Sequence, residues 1–160
     1  MLETLVPGAQ HLQNIHPLVV HFPLAFLPGA LLFYVVAWLI GRPSLAWTGF
    51  WLLVLGAVSA AVAAGTGLYA EEGVMVDPSV RRALLDVHEW WMLGVLGGSV
   101  VLAAWALAGW PIPRRGRPVF VLLLLVLVAA LVRGADFGGR MVYDYNAGGD
   151  ASGQPIEFTR

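Results

Sequence analysis

Three histidines are the residues of this chain whose type and spacing could do chemistry. His16 and His21 stand five residues apart at the start of one apolar run, and His88 stands in the sequence D-V-H-E-W-W at the start of another. An ionisable ring at the edge of a lipid-thickness segment is costly, so it usually has a partner. Imidazole nitrogens are also ligands for haem iron, copper and zinc. The sequence therefore raises three possibilities: a haem site, a metal site, or a structural polar cluster.

The composition indicates a membrane protein. Of the 160 residues, 59% are hydrophobic and 12% are charged, whereas a soluble domain is about 45–50% apolar and about 25% charged. The net charge is −1 and there is no basic tract, so we expect no nucleic-acid partner. There is no P-loop sequence, so we expect no nucleotide partner. The lack of cysteine excludes iron–sulfur ligation, covalent haem attachment and thiol catalysis. With no nucleophile–base set either, we do not expect an autonomous enzyme.

Four apolar segments are long enough to cross a bilayer as helices, which takes about 20 residues each. They cover roughly residues 17–40, 45–69, 84–110 and 118–137. A polar connection, 70–83, separates the second segment from the third, and a Gly-rich tail, 138–160, is expected to form a loop. The sequence thus predicts one membrane domain, 1–160, with an all-α fold: a four-helix transmembrane bundle.

Arginines set the expected orientation, because the cytoplasmic connections of membrane proteins are enriched in positive residues. Arg42 lies in the first connection, and Arg114, Arg115 and Arg117 lie in the third. The second connection also carries arginines, but acidic residues surround them. We therefore expect the first and third connections in the cytoplasm and both termini outside it.

Matched depth selects His21 and His88 as a pair. In this topology the first and third spans both run inward, and each of these histidines lies about five residues, or roughly 6–7 Å, below the outer end of its helix. A b-type haem takes two imidazoles from facing helices of a bundle. We therefore predict that His21 and His88 are the axial ligands of the haem iron. His16 would support these ligands or cap its helix, and His11 would take no part in the site.

Glycines and arginines could complete such a haem site. Room for the porphyrin could come from glycines on the second and third spans: Gly65, Gly67, Gly94, Gly97 and Gly98. Cations for the propionates could come from arginines expected on the same outer face: Arg81, Arg82, Arg133 and Arg140.

Two alternatives stay open. In the first, a copper or zinc ion is held by histidines and a fourth ligand: His16, His21, His88 and one of Met92, Glu89 or Asp86. Met92 follows His88 by four residues, which puts both on one helix face, and its sulfur would favour copper. In the second, the histidines are a polar cluster without a cofactor, in a structural subunit that packs against a larger membrane complex.

Two motifs resemble a known family. The run H-P-L-V-V-H-F-P at His16 to Pro23 is similar to the opening motif of small bacterial membrane proteins filed as domain of unknown function 2231, and G-G-R-M-V-Y at Gly138 to Tyr143 is similar to their closing motif. The resemblance implies a multi-pass protein of the bacterial inner membrane, in contact with lipid and other membrane subunits. Because members sometimes accompany cytochrome-like modules, it also implies a cytochrome-like redox partner. Members often carry a histidine two residues after the closing tyrosine, where this chain has Tyr145.

Overall fold

The computed structural model describes residues 15–73, 77–113, 115–145 and 147. Four helices dominate this part of the chain, and each is long and apolar enough to cross a membrane: α1 (His16–Ile40), α2 (Pro43–Glu71), α3 (Pro78–Gly109) and α4 (Arg117–Tyr145). The described residues form no strand. The predicted all-α fold with four membrane-spanning helices is thereby confirmed. His11 and the tail from residue 148 onward lie outside the described residues.

The four helices form a ring in which each packs on two neighbours. Helix α1 contacts α2 and α4, and α3 likewise contacts α2 and α4, while α1 and α3 are diagonal to each other across the described bundle. Short connections make consecutive helices antiparallel, so α1 and α3 point the same way. The starts of α1 and α3 therefore share one end of the bundle with the ends of α2 and α4.

Proline and glycine set the course of α1. Pro23 has no N–H to donate, and the helix is interrupted at Val20, three residues before it. Pro28 lies inside the uninterrupted stretch His21–Ile40. Gly41 ends the helix in the left-handed conformation, with φ of 67°, and donates its N–H to the Ala37 carbonyl.

Helices α3 and α4 are longer than their apolar segments. Helix α3 begins at Pro78, where the Asp77 carboxylate accepts the Ser79 N–H at 2.8 Å as an N-cap. A π-helical turn, Arg81–Leu85, leads into the regular part of α3. Helix α4 continues to Tyr145, so residues 138–145 are helical and do not form the predicted loop. Hydropathy marks the membrane segment, whereas caps and packing decide where a helix ends.

Small residues and aromatic rings hold the bundle together. A Cβ added to Gly56 of α2 would lie 2.5 Å from Leu27 Cδ2, so α1 and α2 approach closely there, as small residues at helix interfaces allow. Tyr34 is fully buried, donates its hydroxyl to the Pro111 carbonyl at 2.9 Å, and packs edge-on against Phe120. Many leucines and valines on the outside are exposed, as expected of a surface that faces lipid.

Candidate functional site

Two of the three histidines lie inside one end of the bundle, which we call the histidine end. It consists of the starts of α1 and α3 and the ends of α2 and α4. His16 is the first residue of α1, and His88 lies near the start of the regular part of α3. Each ring is held by the neighbouring helix that ends at this level.

His16 is held against α2. Its Nδ1 lies 3.1 Å from Thr66 Oγ1, whose own proton goes to the Ala63 carbonyl at 3.0 Å. Since a hydroxyl has one proton to give, His16 Nδ1–H is the donor in this pair. The ring also interacts with the Ala63 carbonyl. It lies on Gly67, where a Cβ would come 2.9 Å from the ring carbon Cε1.

His88 is held against α4 in the same manner. Its Nδ1–H donates to the Gly134 carbonyl at 2.7 Å, because a carbonyl can only accept. The ring lies on Gly138, where a Cβ would be 3.0 Å from Cε1. Gly134 and Gly138 are four residues apart, so α4 presents both to α3 on one face. The sequence did not point to this glycine pair, because the fourth span was predicted to end at Phe137.

His16 and His88 both lie half-buried at the histidine end, on diagonal helices. His21 follows the interruption at Val20 and is exposed. The geometry therefore favours His16 over His21 as the partner of His88, although the two positions stand in one motif.

Of the predicted extra metal ligands, Met92 lies beside His88. A Cβ on Gly134 would be 2.0 Å from Met92 Cε and 3.6 Å from its sulfur, so the thioether and the His88 ring share one glycine. Glu89 is half-buried one residue after His88. Within the described ranges, no group of three or more His, Cys, Asp and Glu side chains could hold a metal ion.

The glycines predicted to make room for a porphyrin differ in what covers them. Gly65, Gly94 and Gly97 have open space where a Cβ would go, and all three are exposed. Gly67 is covered by the His16 ring, and Gly98 by Leu127 of α4. Their role towards a porphyrin stays a prediction.

Three of the four predicted propionate-binding arginines have acidic partners. Arg81 forms an ion pair with Glu71, which ties α3 to the end of α2. On α4, Arg133 pairs with Asp136 at 2.9 Å and lies over the Phe137 ring, and Arg140 lies 3.5 Å from Asp144. Arg82 is exposed. Their role towards a cofactor stays a prediction.

Exposed tryptophans indicate where bilayer surfaces would lie. Trp90, inside α3, and Trp110, directly after its last residue, are both exposed and stand 20 residues apart. At 1.5 Å per residue this is about 30 Å, the thickness of the hydrocarbon core, and tryptophan is enriched at both interfaces. His88 lies two residues beyond Trp90, or about 3 Å along the axis. The histidine end would thus lie at one membrane surface.

Comparison with known proteins identifies a family but no characterised relative. The family model described as "Predicted membrane protein (DUF2231)" matches residues 12–151. The match includes both motifs on which the resemblance rested. No curated protein and no solved structure matches the chain.

Proposed function

The chain belongs to the DUF2231 family of predicted membrane proteins, and on that premise we propose that it is a small redox subunit in which His16 and His88 bind a b-type haem. The observation that carries the proposal is the pair of imidazoles from diagonal helices, each with its Nδ1–H given to a neighbouring helix. Cofactor sites in helix bundles are commonly built from side chains on facing helices.

The hydrogen bonds at Nδ1 suit ligation through Nε2. Ligating histidines almost always donate their other ring N–H to a carbonyl, carboxylate or similar group, which fixes the tautomer and the ring orientation. Gly134 O does this for His88, and Thr66 Oγ1 does it for His16. A neighbouring helix thus orients each ring, and His16 and His88 are the residues that would hold a haem. When bound, haem iron would supply one-electron chemistry, and the chain would orient the two rings.

The number of ligands favours haem over a bare ion. The porphyrin itself supplies four nitrogens, so two imidazoles complete its axial set. A structural zinc ion takes four protein ligands, and the described residues offer no cluster of three His, Cys, Asp or Glu. Copper is the second candidate, since Met92 shares Gly134 with His88 and a thioether suits Cu(I).

We further propose the setting of this subunit. It would lie in the bacterial inner membrane, with the histidine end and both termini outside the cytoplasm, and would exchange electrons with a cytochrome-like partner or another membrane subunit. Support comes from the four spans and from the arginines of the connections at the opposite end.

A visible spectrum of the detergent-purified protein tests the haem proposal. We expect a Soret band with split α and β bands on reduction, and its loss in His16→Gln and His88→Gln. Glutamine keeps a donor for the neighbouring helix but does not bind haem iron, so the bundle should persist. His21→Gln is the matched control and should keep the full spectrum, because His21 is exposed.

The outcomes separate the candidate functions. Copper in metal analysis without a Soret band, lost in both His88→Gln and Met92→Leu, would replace haem by the copper site. Neither haem nor metal in protein purified from its native membrane would leave the histidines as a clasp between helices. Loss of the Soret band in His21→Gln, with retention in His16→Gln, would restore His21 as the ligand.

A further inference from the structure

Helices α3 and α4 enclose an open groove on the outside of the bundle. Its volume is about 700 Å³, and its lining is apolar. The α3 side includes Trp90, Gly94 and Leu102, and the α4 side includes Leu123 and Ala130. Gly94 has no atom within 4 Å of its added Cβ. The groove is thus formed where a missing side chain leaves α3 open to the surroundings.

Along the axis of α3, the groove is about as long as one leaflet is thick. Trp90 lies at the expected bilayer surface, and Leu102 is 12 residues further along α3, or about 18 Å. Half of the hydrocarbon core is about 15 Å. The extent therefore fits a lipid chain that enters from the histidine end.

A cation stands at the mouth of the groove. Arg133 follows Ala130 by three residues and Leu123 by ten, so it continues the same face of α4 towards the histidine end. Its guanidinium is about half exposed, as is its partner Asp136. An ion pair this exposed contributes little stability, so a phosphate can compete for the arginine.

We propose that this groove binds one anionic phospholipid, with an acyl chain along Gly94 and the phosphate at Arg133. Charge complementarity selects the headgroup, and the one-leaflet depth selects the chain. The bound lipid would cover the face of α3 that Gly94 leaves without a side chain, beside the histidine end. Neither His16 nor His88 lines the groove, so the lipid site and the proposed haem site share only Arg133, which is also predicted to bind a propionate.

Native mass spectrometry of the delipidated protein with dioleoylphosphatidylglycerol tests the site. We expect one tightly retained lipid, and weaker retention of dioleoylphosphatidylcholine. Gly94→Leu should abolish the retained lipid because its side chain fills the groove. Gly97→Leu is the matched control, since Gly97 also has open space at its Cβ and is exposed but does not line the groove.

Arg133→Gln should weaken phosphatidylglycerol binding about fivefold, because one arginine near an anionic lipid contributes about 1 kcal/mol and tenfold is 1.4 kcal/mol. Arg42→Gln, at the opposite end, should not change it. Equal retention in wild type, Gly94→Leu and Gly97→Leu would overturn the proposal. So would a wild-type dimer that Gly94→Leu converts to a monomer, since a second copy would then be the occupant.

Discussion

At the scale of single residues, Gly134 is the position on which the histidine end depends most. Its carbonyl accepts the His88 Nδ1–H, and its missing side chain leaves space for Met92 and the Cβ of Trp91. The sequence led to His88 but not to Gly134, because a glycine's packing partner becomes visible only in three dimensions. The sequence also could not show that His16 contacts α2 while His21 is exposed, so the assignment of His21 as a ligand stays a prediction.

Gly134→Ala should lower the stability of the bundle. The new Cβ would lie 2.9 Å from Trp91 Cβ, an atom next to the backbone that cannot rotate away. We expect a loss of about 1–3 kcal/mol from overpacking, larger than the gain of about 1 kcal/mol in helix propensity. Thermal unfolding followed by circular dichroism in detergent measures it.

Gly139→Ala is the control for this substitution. Its nearest neighbour is a Tyr143 ring carbon at 4.0 Å, so only the gain in helix propensity should remain. A Gly134→Ala protein that melts at or above the temperature of Gly139→Ala would show that α3 and α4 are not tightly packed there.

At the scale of elements, the sequence predicted the bounds of the first two helices, but not the start of α3 or the end of α4. The predicted spans 17–40 and 45–69 differ from α1 and α2 by at most two residues at each end, because Gly41 and Pro43 interrupt the apolar sequence there. Helix α3 begins six residues before its predicted start at 84, where Asp77 caps it. Helix α4 continues beyond its apolar segment to Tyr145, because packing on α3 compensates for the low helix propensity of Gly138.

The cap at the start of α3 should make that segment sensitive to acid. The Ser79 hydroxyl and then the Ser79 N–H hold the pKa of Asp77 below its ordinary value of 3.8. Because the folded-state pKa is depressed, the stabilisation is full above that value and is lost as the pH falls through the folded pKa. Asp77→Asn keeps an N-cap side chain that does not ionise.

Hydrogen exchange of residues 78–85 measures this effect, with both proteins compared at the same pH. Exchange should be similar in wild type and Asp77→Asn at neutral pH. In acid, below the pKa of Asp77, wild type should exchange faster than the variant. Equal rates in acid would mean that the carboxylate does not hold the start of α3.

At the scale of the whole molecule, the histidine end joins the four helices in two pairs. His16 ties α1 to α2, and His88 ties α3 to α4. Both histidines and the residues that hold them lie at one end of the bundle. The orientation of the bundle therefore decides which compartment a bound cofactor would face. Four spans place both termini on the same side, whichever side that is.

The predicted orientation depends on a small difference in arginine content. The connections at the opposite end carry Arg42, Arg114, Arg115 and Arg117, whereas the connection at the histidine end carries Arg81 and Arg82. Acidic neighbours of those two do little to offset them, since orientation follows Lys and Arg and is not a net-charge effect. Moreover, α4 carries Arg133 and Arg140 to the histidine end, and counting them gives four arginines at each end.

Removing the three arginines of the third connection should therefore reverse the orientation or give a mixture of both orientations. We expect reporter fusions at Arg115 and at the C-terminus to give cytoplasmic and external signals in wild type. The triple substitution Arg114→Gln, Arg115→Gln and Arg117→Gln should shift the C-terminal reporter towards the cytoplasm. Arg133→Gln with Arg140→Gln is the matched control, because it widens the difference and should strengthen the external signal. An external signal at Arg115 in wild type would reverse the assignment, and the histidine end would then face the cytoplasm.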